Sequence, residues 1–465
     1  MEGSNQAAPV DIENPLETSM RRELDSLSPL SSSCCIYKVP KRLRCVNGKA
    51  YTPQVISIGP LHHGKKALKA MEEHKKRYLQ DFLRRTAASL TEFTKIIRDK
   101  EEQLRSCYSE TIKFSSDKFV RIILVDAAFI IELLLRACGH VASGHKDDRI
   151  FNKPRMLQDL WPDLQLLENQ LPFFFLEDLF NKITVSYSSE LSMIDLSYKF
   201  LKAALDLEGE EYSLQIISSP RRYPKVEHLL DFIRNLHLPK LKEPYQSNEG
   251  PSTTPCITKL IRTLHLPILE ESDQSNEGPS TAPCITKLHR AGVKFKLRSS
   301  RNLFDIKFKD GILEIPKLNI DDHTELTLRN LIAFEQCHCY NNYISDYVSL
   351  MDNFVNTEKD VEYLLKYKIV EHMLGDDIEV CTLINKLGRG VVLDRDHYHF
   401  ATLSKRLNSY CEKPWHKWKA NLRQNYFNTP WATISVIAAV FLLILTCIQA
   451  VCSIISVMPS KNQKY

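Results

Sequence analysis

Several features that mark common enzyme and secretory classes are missing from this sequence of 465 residues. It has no GxSxG, Walker A, GxGxxG or HExxH pattern, so it gives no signal for serine-hydrolase, nucleotide, dinucleotide or zinc-protease chemistry. The N-terminal residues lack the apolar stretch of a secretory signal peptide. No Asn begins an acceptable glycosylation pattern, because Asn428-Thr429-Pro430 ends in proline. These absences favour a body that stays out of the secretory lumen.

A large excess of one charge sign is also missing, and the cysteines show no disulfide pattern. The formal net charge is +5, which is small for this length and does not indicate a nucleic-acid partner. The 13 cysteines are odd in number and irregular in spacing, so paired disulfides are not expected. Hydrophobic residues at 43% and charged residues at 26% are ordinary, and we therefore expect a globular body with reduced thiols.

One long hydrophobic run lies near the C-terminus. From Trp431 to Met458 the sequence contains no Asp, Glu, Lys or Arg. Roughly 28 residues at 1.5 Å per residue give about 42 Å of helix, which exceeds the ~30 Å hydrocarbon core of a bilayer. A buried helix of a soluble protein would show a polar stripe, and this run has none. The pattern predicts a single transmembrane helix at 431–458.

The residues that flank this run predict its orientation. Basic residues before it outnumber those after it, where Lys461 and Lys464 remain, and the richer side is normally cytosolic. We therefore expect a single-pass, tail-anchored membrane protein with its body in the cytosol; the sequence does not distinguish plasma membrane from endomembrane. The residues predicted at the membrane interface are Lys413, Trp415, Lys417, Trp418, Lys419, Arg423 and Trp431. Their charges either set the topology alone or also bind anionic lipid headgroups.

The predicted fold is mainly α-helical with a small antiparallel β element and a C-terminal transmembrane helix. A disordered N-terminal tail with a short helix near Leu16–Leu27 is expected first. The predicted segments are this tail (1–33), an N-terminal helical part (34–235), a polar linker (236–288), a C-terminal α+β part (289–411), a basic and aromatic juxtamembrane segment (412–430), the span (431–458) and a short tail (459–465).

The linker contains a tandem duplication. Residues Leu236–Leu260 recur 28 residues later as Leu264–Leu288, with QSNEGPST in both copies. Two copies are too few for a solenoid, and each is rich in Pro, Ser, Gly and Glu, the composition of a solvated linker. We interpret the duplication as a lengthened surface loop, because added loop length costs little free energy.

Local patterns predict several element boundaries. A nearly all-apolar helix is expected at Ser116–Cys138, and a second helix at Thr357–Leu374 with a capping box at its start. Alternating runs on either side of Lys309-Asp310-Gly311 predict a β-hairpin. Val391–Asp394 is expected to add a strand.

Four sequence blocks are similar to those of one plant family. They are CIYKVPKRLRCVNGKAYTPQVISIGPLHHGKKALKAMEEHKKRYLQDFL (35–83), LLENQLPFFFLEDLF (166–180), AGVKFKLRSSRNLFDIKFKDGILEIPKLNIDDHTELTLRNLIAFEQCH (291–338) and YFNTPWATISVIAAV (426–440). On these blocks the chain resembles the family catalogued as domain of unknown function 247, over nearly its whole length from about residue 35. The resemblance implies a plant membrane protein without an established biochemical activity. The duplicated linker departs from the family pattern and lies between its blocks.

Candidate catalytic residues are few. Asp126 and Glu132 lie in IILVDAAFIIELLL and Glu168 lies in LLENQLP, so each must be paired or hydrogen-bonded if it is buried. Such carboxylates serve as general acids and bases in some proteins, but here we expect a structural polar core. No cofactor is predicted.

Other polar clusters give weaker signals. His62-His63 and Cys337-His338-Cys339 contain metal-ligand types but lack the second half of a metal site, so no metal is predicted. Lys65-Lys66 and Lys75-Lys76-Arg77 form a basic cluster, which we interpret as a solvated helix face rather than a phosphate site.

These observations lead to a hypothesis about function. The protein is expected to be non-enzymatic and to act at the lipid bilayer in recognition or signalling, by binding an unidentified protein partner. Two alternatives stay open. An enzyme that uses the buried carboxylates would need a concave pocket where polar groups converge, and a membrane adaptor would contact lipid. A binding module would instead show an exposed apolar patch.

Overall fold

The structure is a computed structural model, and it describes only part of the chain. The described residues are 15–25, 33–86, 88–141, 148–153, 155–183, 191–204, 225–238, 281–300, 302–413 and 430–457. Most of the predicted tail, most of the duplicated linker and most of the juxtamembrane segment lie outside these residues. The interface predictions that fall outside them are Trp415, Lys417, Trp418, Lys419 and Arg423.

Helices account for most of the described residues. They are α1 (Pro15–Asp25), α2 (Lys41–Arg44), α3 (Lys69–Arg85), α4 (Leu90–Asp99), α5 (Glu101–Ser106), α6 (Ser116–Ala137), α7 (Met156–Leu164), α8 (Phe173–Ile183), α9 (Met193–Ala204), α10 (Leu229–His237), α11 (Ile285–Arg290), α12 (Thr324–His338), α13 (Tyr343–Phe354), α14 (Glu358–Lys366), α15 (Asp377–Leu387), α16 (Ala401–Glu412) and α17 (Pro430–Val457). The strands are β1 (Lys294–Arg298), β2 (Lys307–Lys309), β3 (Ile312–Pro316), β4 (Leu318–Ile320) and β5 (Val370–His372).

Helix α6 forms the centre of the N-terminal part, because nearly every residue from Phe119 to Arg136 is buried. It packs against α3, α4, α8 and α9. The helix ends in a Schellman motif, in which Gly139 adopts a φ of +72°. The amide of Gly139 bonds to the Arg136 carbonyl at 3.0 Å, and that of His140 bonds to the Leu135 carbonyl at 2.9 Å. The predicted helix at Ser116–Cys138 is therefore confirmed within one residue.

The strands form two small sheets, and the mainly α-helical fold class with a small β element is confirmed. The predicted hairpin is present as the antiparallel pair β2–β3, with Asp310 at φ +51° and Gly311 at φ +74° in its turn. Strand β3 also pairs with β1, but in parallel, and β4 pairs in parallel with β5. The antiparallel expectation holds for β2–β3 only, because β3 lies between β1 and β2 and these two strands run in opposite directions.

One predicted helix end and one predicted strand in the C-terminal part are wrong. Helix α14 has the expected capping box of Thr357 and Asp360, but it ends at Lys366 rather than at Leu374. Lys368 adopts a φ of +57°, which turns the chain into β5. The run Val391–Asp394 forms no strand.

Both parts of the body contribute to one hydrophobic core. The described ends of the predicted linker belong to this core, since Leu236 in α10 and Ile285 and Leu288 in α11 are each at most 4% exposed. The apolar residues at both described ends of the predicted linker are therefore covered by the body.

Candidate functional site

The most polar part of the interior surrounds a segment without regular structure. From Thr52 to Gly64 the chain forms neither helix nor strand, yet Ile56, Ser57, Ile58 and Gly59 are buried. Backbone amides in such a segment need protein partners, because water does not reach them. Side chains from α6, from the end of α7 and from the LLENQLP block supply these partners.

Asp163 holds the first half of the buried segment. Its carboxylate accepts hydrogen bonds from the amides of Gln54, Val55 and Ile56, at 2.8, 2.6 and 2.7 Å. Burial raises the pKa of Asp163, although these hydrogen bonds oppose the rise. One side chain near the end of α7 thus satisfies three consecutive amides.

Asn169 and Asp126 hold the second half. Asn169 Oδ1 accepts from the Ile58 amide at 2.7 Å, and Asp126 Oδ2 accepts from the Gly59 amide at 2.8 Å. Gly59 adopts a φ of +72°, and a Cβ atom there would lie 2.7 Å from the carbonyl oxygen of Gln170. Only glycine fits this approach, because the clash would be with backbone.

Asp126 also forms a buried ion pair. Lys75 Nζ lies 2.5 Å from Asp126 Oδ1, 2.5 Å from a Glu72 oxygen and 2.7 Å from the Ser57 carbonyl oxygen. The Lys75 side chain is 0% exposed. Burial raises the pKa of Asp126 to about 6, although Lys75 and the Gly59 amide favour its carboxylate. The pair joins α3 and α6 to the buried segment.

Glu168 forms a separate network. It accepts a hydrogen bond from the Val39 amide at 2.7 Å and forms an ion pair with Arg44. His62 Nε2 lies 3.2 Å from its other oxygen. Burial by itself raises the pKa of Glu168, but His62, the Val39 amide and Arg44 outweigh this effect, and the pKa is lowered.

Glu132 belongs to a third network, which is centred on Arg136. Arg85 Nε donates to Glu132 Oε1 at 3.0 Å. Arg136 Nη1 donates to Asp148 at 2.7 Å, and Arg136 Nη2 donates to Asp81 at 2.7 Å. These contacts connect α3, α6 and the segment that follows α6.

The structure does not bring Asp126, Glu132 and Glu168 into one site. The hydrogen-bond partners described above do not overlap, and each carboxylate contacts backbone amides or cationic side chains. What this arrangement does is cross-link helices and irregular segments of the interior.

The basic cluster predicted near α3 divides between the interior and the surface. Lys75 is buried beside Asp126, whereas Lys65, Lys66 and Lys76 line an open cleft of about 670 Å³ between α3 and α6. The basic residues that line this cleft are Lys65, Lys66, Lys69, Lys76, Lys118 and Arg121. We refer to it as the basic cleft.

The two metal-ligand clusters noted in the sequence have different surroundings. His62 contacts Glu168, and His63 lines the basic cleft. Burial raises the pKa of Cys337 to about 11 and that of Cys339 to about 12, which disfavours the thiolate form that binds metals. Across the described ranges, no three His, Cys, Asp or Glu side chains cluster in a way that could hold a metal ion.

Helix α17 presents an uncovered apolar surface. The stretch Ile434–Ile454 is long and apolar enough to cross a membrane, and none of it is buried. Leu443 and Ile444, at its middle, are 66% and 52% exposed. The Thr446 hydroxyl donates to the Leu442 carbonyl at 2.8 Å, so this polar group is satisfied within the helix, as a membrane requires.

Two of the predicted membrane-interface residues lie within the described ranges. Lys413 directly follows α16 and is exposed. Trp431 is in the first turn of α17 and is 79% exposed. Their positions leave both side chains accessible.

Comparison with known proteins identifies the family. The family model DUF247, described as plant protein of unknown function, matches residues 36–445. This chain belongs to the DUF247 family. The UPF0481 protein At3g47200 of Arabidopsis thaliana is 32% identical over 447 residues, which cover 92% of this chain and 88% of that protein. The putative UPF0481 protein At3g02645 of the same plant is 22% identical and covers 93% of both chains. No solved structure matches.

In this DUF247 chain, the first three of the four blocks that carry the resemblance meet in the interior. The first block supplies the buried segment, and the second supplies Asn169, which holds it, and Glu168, which binds the Val39 amide of the first block. The Leu167 amide donates to Asn330 Oδ1 in the third block at 3.0 Å, and Asn330 Nδ2 donates to the Ala50 carbonyl at 2.8 Å. Blocks that are far apart in sequence are thus joined by side-chain hydrogen bonds.

Sequence reasoning missed several residues of this DUF247 chain. Lys75 stands among other charged residues, so nothing in its neighbourhood indicates burial. Asp163 precedes the apolar run of the LLENQLP block, and an acidic residue next to such a run is a signal of a buried hydrogen-bond acceptor that the sequence analysis did not use. The spacing of Lys118 and Arg121 places them on one face of α6, but it does not show that this face meets the lysines of α3.

Proposed function

We propose that this DUF247 protein is a single-pass membrane protein that recognises a protein partner on the cytosolic side and has no catalytic activity of its own. Helix α17 carries the proposal, because its described apolar stretch Ile434–Ile454 is uncovered by the rest of the protein. Exposure of apolar surface to water costs about 25 cal/mol per Å². A bilayer removes that cost along the full length of the helix.

The orientation rests on the residues that flank α17 in sequence. Lys413, Lys417, Lys419 and Arg423 precede the helix, and such residues are enriched on the cytosolic side of a span. The absence of glycosylation patterns in the body is compatible with this orientation.

Recognition is supported over catalysis by the contacts of the buried carboxylates. Asp126 is bound by Lys75 and by the Gly59 amide, so its oxygens stabilise the fold. Exposed apolar side chains on the body, such as Tyr340 at 100% and Met373 at 88%, are candidates for the partner contact. Such residues are typical components of protein interfaces.

Extraction of membranes at alkaline pH tests the anchoring. The full-length protein should stay in the membrane pellet. Leu443→Lys combined with Ile444→Lys should release part of it, because each charge near the middle of a span costs about 3 kcal/mol. The matched control, Leu443→Ala with Ile444→Ala, should stay in the pellet. Complete release of the unmodified protein would overturn the anchoring.

Proximity labelling in the native membrane tests the recognition. A labelling enzyme fused to the N-terminus should enrich the same cytosolic proteins repeatedly, relative to a fusion that carries residues 412–465 alone. Tyr340→Ser with Met373→Ser should reduce this enrichment, whereas Leu90→Ser, at an exposed site on α4, should not. An enrichment identical to that of the anchor alone would contradict partner binding.

A further inference from the structure

The basic cleft concentrates positive charge on one concave surface. Six lysine and arginine side chains line it, against the two carboxylates of Glu72 and Asp117. The excess of four positive charges compares with a formal net charge of +5 for the whole chain. A volume of about 670 Å³ is in the range of small-molecule sites.

The two carboxylates contribute little to neutralising this charge, because each has a partner from outside the cleft. Glu72 pairs with the buried Lys75 at 2.5 Å, and Asp117 pairs with Arg98. Neither Lys75 nor Arg98 lines the cleft.

The cations that line the cleft have no such partners. In the part of the chain that the structure describes, none of the six forms an ion pair. Lys118 Nζ lies 4.5 Å from the centre of the Phe114 ring, a contact that positions the ammonium group without neutralising it. Burial lowers the pKa of Lys65, and Arg44 lowers it further, although Glu168 opposes the shift. Within the described residues, no direct ion pair therefore neutralises any of these six side chains.

The cations face one another from two helices. Lys69 and Lys76 are seven residues apart and share a face of α3, while Lys118 and Arg121 are three residues apart and share a face of α6. Helices α3 and α6 pack together, and the buried side chain of Ile122 forms part of the floor. A simple solvated helix face would spread its charges over a convex surface, whereas these converge on a cavity.

We propose that the basic cleft binds a compact organic molecule that carries two or more phosphate groups. A phosphate group carries about −1.5 to −2 charges near pH 7, so two or three of them match the excess of four. Arg121 offers a bidentate fork for one phosphate, and the lysines act as mobile point charges. A soluble polyphosphate and the headgroup of a phosphorylated inositol lipid share this chemistry. The proposal does not depend on whether α17 crosses a membrane.

Calorimetric titration of the full-length protein in phosphatidylcholine nanodiscs tests the proposal, with inositol hexakisphosphate as the probe. The protein should bind the probe at physiological salt. Lys118→Gln with Arg121→Gln should weaken binding on the order of tenfold, because charge-assisted hydrogen bonds are lost. Lys65→Gln with Lys66→Gln removes charge from the other wall and should weaken binding similarly.

The matched control removes the same charge elsewhere. Lys294→Gln with Lys309→Gln alters exposed positions on β1 and β2 and should leave the affinity within about twofold of the original. All pairs should keep the original melting temperature, because exposed substitutions change stability by roughly 0.5 kcal/mol at most.

Nanodiscs that contain phosphatidylinositol bisphosphate separate the two sources of the ligand. If a lipid headgroup occupies the cleft, these discs should raise the apparent Kd of the soluble probe. If a soluble molecule occupies it, the Kd should stay the same. Failure of the probe to bind in phosphatidylcholine discs, or an equal loss in the Lys294 and Lys309 control, would overturn the proposal.

Discussion

Asp126 lies in the middle of an apolar helix because Lys75 and the Gly59 amide both bind its carboxylate. Burial raises its pKa to about 6, so burial of the ionised carboxylate costs free energy that its two partners only partly offset. A buried ion pair is a weak source of stability as a whole, yet loss of one partner leaves the other charge stranded. Substitution of either Asp126 or Lys75 should therefore destabilise the fold through the charge that remains on the other residue.

Substitutions at Asp126 test this structural role. Asp126→Asn should lower the free energy of unfolding by about 2–4 kcal/mol, because Lys75 loses its counter-charge, and Asp126→Leu should cost more because Gly59 also loses its acceptor. The double variant Asp126→Asn with Lys75→Met should lose less stability than the sum of the losses in the two single variants, by about 1 kcal/mol or more. Urea denaturation measures each value. Unchanged or improved stability in both single variants would instead favour a catalytic role.

Asp346 on α13 gives a test by pH. Burial raises its pKa from 3.8 to about 7, the charges of Glu335 and Asp394 contribute to the rise, and the hydrogen bond from the His399 amide opposes it. The folded state holds the proton more tightly, so the stability from this group is complete below about pH 4 and is lost as the pH rises towards 7.

Asp346→Asn removes this titration while it keeps an acceptor for the His399 amide, 2.8 Å away in the native protein. Its stability relative to the unmodified protein should therefore improve as the pH rises from about 5 to about 8, in urea denaturation at each pH. A difference that stays constant with pH would contradict the raised pKa.

The burial of polar residues could be predicted from the sequence only where their neighbours in sequence are apolar. A carboxylate within IILVDAAFIIELLL is conspicuous, so the sequence singles out Asp126 and Glu132. Lys75 is among the most deeply buried side chains described, yet it sits in a run of charged residues that hides it. Its burial depends on the approach of α6, which no local pattern encodes.

At the scale of elements, the buried segment from Thr52 to Gly64 depends on Asp163. Asp163→Ala would leave the amides of Gln54, Val55 and Ile56 without their acceptor, at about 1–3 kcal/mol for each amide that stays buried. We expect a total loss of about 3 kcal/mol or more in thermal or urea unfolding. Asp159→Ala, at an exposed site on the same helix, should cost about 0.5 kcal/mol or less. Equal effects of the two variants would contradict the assigned role.

The duplicated linker should tolerate loss of one copy. Deletion of residues 236–263 lets Leu264-His265-Leu266-Pro267 replace the identical residues 236–239, so the end of α10 is restored. The melting temperature should change by less than about 2 °C, because shortening a long loop alters its closure entropy little. Deletion of Ile285–Leu288 should lower it far more, since α11 loses two buried side chains. A large fall after the first deletion would mean that the linker packs on the body.

Elements with a complete local signal were predictable, and those set by tertiary contacts were not. The turn at Asp310-Gly311 and the apolar helix α6 follow from local patterns and are present as expected. The parallel pairing of β1 with β3 requires a long-range contact, and the end of α14 depends on the backbone of Lys368. Neither of these leaves a periodic trace in the sequence.

For the whole molecule, one core unites the parts that the linker separates in sequence. Arg234 of α10 donates to Glu335 of α12 at 3.0 Å, so a buried ion pair crosses between them. The long uncharged run made the candidate membrane helix predictable, and the four blocks made the family predictable. The basic cleft was not predictable, because its walls come from two helices whose meeting is set by the core.

Protease treatment of sealed microsomes that contain the full-length protein tests the central claim most directly, because it reports both the span and its orientation. The body should be digested, and a fragment that holds α17 and the residues after it should be protected. Detergent should abolish the protection. Protection of the whole body in intact vesicles, lost only when detergent is added, would contradict a cytosolic body anchored by a single span.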